Sequence, residues 1–224
     1  MADNVWDEIV YLGDFLDFDQ ISKFNEEAFR NVENRRLEKD FIMANDILDR
    51  HQAIVRSKNK KAKFTYLTGN HELRVEKMID KYPVLEGLLE VNKKLELDKR
   101  GFKYVRSYPN GDLHKIGKAY FHHGLYTSRY HAAKMVDIFG VNIFYGHTHD
   151  VSSHSKVVRG KNKTLVGQSL GCLCKYDLSY VSNNPTNWQQ AVTTFYFHDN
   201  GFFQYYVSRI FNHEFIAPNG KLYA

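Results

Sequence analysis

Short apolar runs recur along the first two thirds of the chain, and most stop at a glycine. EIVYLG (8–13), KFTYLTGN (63–70), KAYFHHG (118–124) and VNIFYGHTH (141–149) are rich in β-branched and aromatic residues. Each reads as a buried strand closed by a turn. Between them the spacing changes. Residues 25–58 carry Phe29, Val32, Leu37, Phe41, Ile42, Ile47, Leu48 and Ile54 at roughly helical intervals, which predicts a long amphipathic helix. Residues 72–97 predict a helix in two pieces, broken before Pro83, because proline has no N–H and restrains the residue before it. FKYVRSY (102–108) and the turn PNGD (109–112) predict a hairpin feeding the strand at 118–124. Residues 127–140 predict a helix capped by Thr127 or Ser128 and stopped by Gly140.

From residue 151 the pattern becomes β-rich. SKVVRGKNKTLVGQSLG predicts a hairpin around Gly160–Lys163, and AVTTFYFHDNGFFQYYVSRI another, turned by the DNG within 198–201. Strands alternating with helices and then antiparallel strands describe a layered α/β fold. The length suits one domain over residues 1–224.

Composition narrows the class. Apolar residues make up 43 % of the chain, which excludes a disordered polymer. Lys and Arg exceed Asp and Glu by 31 to 26, a net charge of +5, and this balance suits a polyanionic partner. Lys156, Arg159, Lys161 and Lys163 gather the excess on one hairpin, where they could steer a nucleic-acid backbone. Cys172 and Cys174 are separated by one residue. On a strand they point to opposite faces, so two free thiols are expected rather than a bridge, with a CxC metal clip as the alternative. No apolar run is long enough to span a bilayer. The first residues lack a basic stretch followed by an apolar core, so a cytoplasmic protein is expected.

The candidate chemistry sits at the four glycine-ended runs. They close with GDFLD (13–17), GNHE (69–72), HHG (122–124) and GHTH (146–149). Ligands of open α/β sheets bind beyond the carboxyl ends of strands. Convergence of these ends gathers Asp14, Asp17, Asn70, His71, His122, His123, His147 and His149. Carboxylate, amide oxygen and imidazole together suit Mn, Fe, Zn or Ni. Each cluster alone has a plainer reading, such as an Asp-capped turn or a packed histidine pair. Four in this order, each after a predicted strand, do not.

The set resembles the calcineurin-like metallophosphoesterases, whose pattern runs DxH, GDxxD, GNH[DE], an HG histidine and GHxH. The resemblance implies a layered α-β-β-α sandwich that hydrolyses phosphate esters. It makes Asp14 the carboxylate bridging two metals and places Asn70, His123 and His147 on the second metal. His149 faces the first. His71 stands near the scissile phosphate without binding metal, and Asp17 orients it. Two ions about 3.5–4 Å apart clamp phosphoryl oxygens and generate a hydroxide. His71 as imidazolium then protonates the leaving oxygen. Arg74, one turn into the following helix, and His122 are candidates for contacting substrate. SLGCLCKYDLSYVSNNPTNWQQ further resembles phage and prophage members.

The chain departs from the pattern in two places. No DxH precedes Gly13; Asp49-Arg50-His51 and Asp112-Leu113-His114 have the spacing but come in the wrong order. The sandwich is therefore expected to be N-terminally truncated, with one well-held ion, manganese first among the candidates, and an incomplete second position. Its first strand is expected to have an open edge, to be met by an N-terminal complementing chain or a second copy. In addition, Phe18 and Asp19 follow Asp17 where Ser/Thr protein phosphatases carry Arg and Gly. This favours phosphodiesters of nucleic acid or nucleotides, a nuclease or phosphodiesterase activity, over a phosphoprotein. Two other functions fit the same residues: an impaired metal-binding fragment, and a nucleic-acid-binding module.

Overall fold

Parallel strand register decides which of the glycine-ended loops become neighbours. The computed structural model describes residues 1–25, 32–160, 162–176 and 186–224. They form a mixed α/β chain that divides into two units, Met1–Asp112 and Leu113–Ala224.

The N-terminal unit holds strand β1 (Glu8–Tyr11), helix α1 (Leu37–Lys58), β2 (Lys63–Leu67), α2 (Glu72–Lys81), the single turns α3 (Val91–Lys94) and α4 (Leu97–Arg100), and β3 (Phe102–Val105). The three strands form one parallel sheet in the order β1-β2-β3. β2 is central and almost wholly buried, as expected of a strand covered on both faces. β1 pairs with β2 alone among the described residues, so its other side is an edge. Phe41, Leu48 and Val55 of α1 pack with Phe64 and Tyr66 of β2 and with Leu16 and Phe18 from the loop after β1.

Three expectations change here. The helix covers Leu37–Lys58 rather than starting at residue 25. Asn34 has φ 65°, a left-handed conformation that a helix does not propagate. Phe29 lies outside the described residues. The buried stripe also has a different phase: Phe41, Ala44, Leu48, Gln52 and Val55 face inward, while Ile42 and Ile54 are exposed. Gln52 is tolerated inside because its amide donates to the Arg100 carbonyl at 3.0 Å. Finally, FKYV is not the arm of a hairpin. It pairs in parallel with β2, Leu67 opposite Val105. The break before Pro83 is present, and the expected second piece is reduced to short turns.

The C-terminal unit holds β4 (His114–Ile116), β5 (Ala119–His122), α5 (His131–Phe139), β6 (Asn142–Tyr145), β7 (Ser153–Val158), β8 (Lys163–Ser169), β9 (Ala191–Phe197), β10 (Phe203–Arg209), β11 (Phe215–Ile216) and β12 (Leu222–Tyr223). The main sheet runs β4-β5-β6-β8-β7, with β5, β6 and β8 parallel. Its two faces are read from β6. Ile143 and Tyr145 join Met135 and Val136 of α5. Phe144, on the opposite face by strand alternation, meets Phe195 and Tyr205 of the β9–β10 hairpin at ring-centroid distances of 4.8 and 4.9 Å. α5 lies close on β8, where a Cβ on Gly167 would come within 2.3 Å of the Ala132 carbonyl oxygen. Both hairpins expected beyond residue 151 are present. Gly140, φ 62°, stops α5, but neither Thr127 nor Ser128 caps it by a side chain. The cap position is Tyr130, and the Ser128 carbonyl accepts the His131 N–H at 2.9 Å. No helix among the described residues is long and apolar enough to cross a membrane.

Candidate functional site

In the N-terminal unit, Tyr11 of β1 pairs with Tyr66 of β2. The loops leaving their carboxyl ends, GDFLD and GNHE, therefore emerge side by side. Glu72, 1 % exposed, ties them together. Its carboxylate accepts the Asp14 and Phe15 N–H groups at 3.0 Å each, the Gly69 N–H at 2.7 Å and the Tyr66 hydroxyl at 2.8 Å. Burial first, and then the Glu72 charge, push the Tyr66 phenol well above its ordinary value, so it stays a donor. Asp14 sits at φ 50° after Gly13 at φ 88°. That turn aims its carboxylate across to the second loop, where Oδ1 accepts the His71 N–H at 2.8 Å.

The His71 ring, buried, has Nδ1 3.0 Å from Asp17 Oδ1 and Nε2 3.8 Å from Asp14 Oδ2. Asp17 thus holds one face of the ring and leaves Nε2 directed toward Asp14. Arg74 lies one turn along α2 and donates to the Asp17 carbonyl oxygen at 2.7 Å. It braces the Asp17 loop. Asn70 is half-buried on the same turn as His71.

In the C-terminal unit the same geometry repeats. His122 at the end of β5 pairs with Tyr145 at the end of β6, so HHG and GHTH leave the sheet as neighbours. The Gly146 N–H donates to the His123 carbonyl at 2.9 Å, and His123 Nε2 lies 3.2 Å from His147 Nδ1. Gly124 makes this approach possible. It has φ 125°, and a Cβ there would lie 2.6 Å from the His147 Cβ. Gly124→Ala is therefore expected to cost about 2–4 kcal/mol through clash and backbone strain and to separate the two imidazoles. Urea unfolding of the variant checks the first and Mn2+ titration the second.

His147 and His149 both occupy the left-handed region, at φ 65° and 61°, an uncommon conformation for residues with a Cβ. A buried network holds the turn beneath them. Thr148 Oγ1 donates to Asp150 Oδ1 at 2.6 Å, and Asp150 Oδ2 meets His131 Nε2 at 3.0 Å. His131 Nδ1 lies 2.6 Å from the Tyr145 hydroxyl. The alternation sends the two imidazoles to different neighbours: His147 to His123, and His149 to Cys174 and Trp188.

Several candidates are placed elsewhere. His122 is fully buried against Phe139, with ring centroids 5.2 Å apart, and its Nδ1 accepts the Gly124 N–H at 2.8 Å. It is a packed core histidine with no exposed face for substrate. Lys156 forms an ion pair with Asp137 at 2.6 Å, and Lys161 lies outside the described residues. Cys172 and Cys174 do not sit on a strand. They lie in the irregular segment after β8, neither of them in a disulfide, and their sulfurs come to the same side. A hydrogen bond from Cys174 is the largest influence on Cys172 and draws its thiol below the usual range against the effect of burial.

Sequence reasoning missed Glu72 as the tie between loops and the thiols as neighbours of His149. The first left a faint signal, an acid directly after Gly-Asn-His at the start of a helix; the second depended on the segment being irregular. No family model, curated protein or solved structure matches the chain.

Proposed function

We propose that this chain is a metal-dependent hydrolase of phosphate esters, acting on phosphodiesters of nucleic acid or nucleotides within a layered α-β-β-α sandwich. The observation that carries the reading is the 3.2 Å between His123 Nε2 and His147 Nδ1. Imidazole nitrogens that bind one ion at about 2.0–2.1 Å lie about 2.9–3.4 Å apart, depending on coordination angle. The pair therefore fits a shared ion with almost no movement. His123 and His147 would hold it, and the calcineurin-like pattern adds Asp14 and Asn70 to the donor set; such borderline N and O donors suit Mn2+ first and Fe2+, Zn2+ or Ni2+ as well. A second position would stay incomplete, because the His149 ring is engaged with Cys174 and Trp188. When bound, such an ion would supply Lewis acidity and lower the pKa of a bound water.

The chain's own acid is His71. As the ester bond breaks, the leaving oxygen takes the Nε2 proton, and the ring is left neutral with Nδ1–H on Asp17. The 3.0 Å contact to Asp17 fixes the orientation of the ring throughout. Arg74 keeps Asp17 in place.

The test is turnover of an aryl phosphodiester by the full chain with Mn2+. Hydrolysis abolished by EDTA and by Asp14→Ala is expected. Turnover that ignores both overturns the reading. A second reading has its own observation, the edge of β1, where a strand from another chain can add. It predicts an inactive chain that gains activity when a segment carrying DxH is supplied. DNA binding that ignores metal and survives Asp14→Ala points instead to a nucleic-acid-binding module.

A further inference from the structure

We infer that His149, Cys172 and Cys174 form a second metal site of different chemistry, a thiolate site for a zinc-class ion. All three belong to the C-terminal unit, so the site stands whether or not the chain hydrolyses phosphate esters. One ligand atom from each, an imidazole nitrogen and two sulfurs, lies within 4.8 Å of the other two. Cys174 Sγ is 3.9 Å from His149 Nδ1. In a tetrahedral site with Zn–S of about 2.3 Å and Zn–N of about 2.0–2.1 Å, neighbouring ligand atoms lie about 3.6–3.8 Å apart. The cluster needs a contraction of about 1 Å or less to close on one ion.

Backbone hydrogen bonds hold the three residues in this arrangement. A single strap, Gln189–Ala191, binds both loops. The Gln189 N–H donates to the His149 carbonyl at 2.7 Å, while the Gln189 carbonyl accepts the Cys172 N–H at 3.0 Å. The Cys172 carbonyl then accepts the Ala191 N–H at 3.0 Å, and Gln190 Nε2 donates to the Cys174 carbonyl at 2.7 Å. A Cβ on Gly171 would sit 2.5 Å from the Gln189 carbonyl oxygen, so glycine is what lets the strap lie this close. Trp188 packs edge-on against the His149 ring at 4.4 Å, restraining its rotation and covering one side of it. These ties restrain the ligand loop, which reduces the ordering cost of binding an ion.

Two thiolates select a softer ion than the oxygen and imidazole donors of the proposed hydrolytic site. Three protein ligands leave the fourth tetrahedral position open to water or an exogenous ligand. Each cysteine that binds releases its proton to solvent, so affinity falls as pH is lowered.

Co2+ added to the reduced full chain, with a phosphine reductant present, is expected to give the near-ultraviolet thiolate-to-cobalt charge-transfer band and the visible bands of tetrahedral cobalt. Cys172→Ser and Cys174→Ser are each expected to abolish the charge-transfer intensity, and Zn2+ to displace it. Asp14→Ala is expected to leave the band unchanged, which separates this site from the hydrolytic one. A second measurement covers variants that fail to fold: in the wild-type protein, Zn2+ should slow the reaction of both thiols with a disulfide reagent. Cobalt bound without the band, or thiols that react equally fast with and without Zn2+, overturns the inference.

Discussion

Glu72→Ala is expected to lower the stability of the N-terminal unit by about 3–5 kcal/mol. The carboxylate is buried and accepts four hydrogen bonds, three from backbone N–H groups of Asp14, Phe15 and Gly69 and one from Tyr66. Alanine removes the acceptor and leaves four donors in a space with few alternatives. Each buried donor left unmade costs about 1–3 kcal/mol, with partial relief from relaxation or entering water. Glu72→Gln keeps an acceptor oxygen but turns an NH2 toward N–H donors, so an intermediate loss is expected. Glu76→Ala is the control. Its ion pair with Arg106 is 2.9 Å long but joins half-exposed side chains, and its loss should cost less than about 1 kcal/mol. Urea unfolding of the three variants checks the order. Hydrogen exchange adds a local readout, since the Asp14, Phe15 and Gly69 amides should lose protection first. Equal stability of Glu72→Ala and Glu76→Ala would show that the two loops are held by something other than this carboxylate.

His71→Ala is expected to reduce kcat by about 10²–10⁴-fold on a substrate with an alkoxide leaving group, the usual range for a lost general acid. The prediction rests on the proposed activity and on the contact between Nδ1 and Asp17. It has a second part that a merely structural role would not reproduce. A nitrophenolate leaves readily without a proton, so the same variant should be far less impaired on a nitrophenyl diester than on a dinucleotide. Asp17→Asn should fall between wild type and His71→Ala. It keeps an acceptor for Nδ1–H, which still orients the ring, but removes the carboxylate charge beside it. An equal loss on both substrates would assign His71 to positioning rather than proton transfer.

Much of this molecule was legible in local pattern. The four glycine-ended runs became strands β1, β2, β5 and β6, Pro83 interrupted its helix, Gly140 ended another, and the DNG turn joined β9 to β10. These features depend on residues within one or two turns of each other. The errors have a common physical cause. FKYV followed by PNGD looks like a hairpin arm locally, yet pairing beside β2 in the parallel sheet decides its place. Ile42 and Ile54 fit a helical stripe as well as Ala44 and Val55 do, and only the surface beneath α1 selects between them. Cys172 and Cys174 diverge on a strand but converge because the segment after β8 is irregular and strapped to Gln189.

The chain by itself determined which residues stand at strand ends, since periodicity and glycine are written in short stretches. Only the tertiary structure decided their companions. Parallel register set Asp14 beside His71 across 57 residues and His123 beside His147 across 24. Such pairings follow from burying whole strands against one another, and no local preference of the residues involved encodes them.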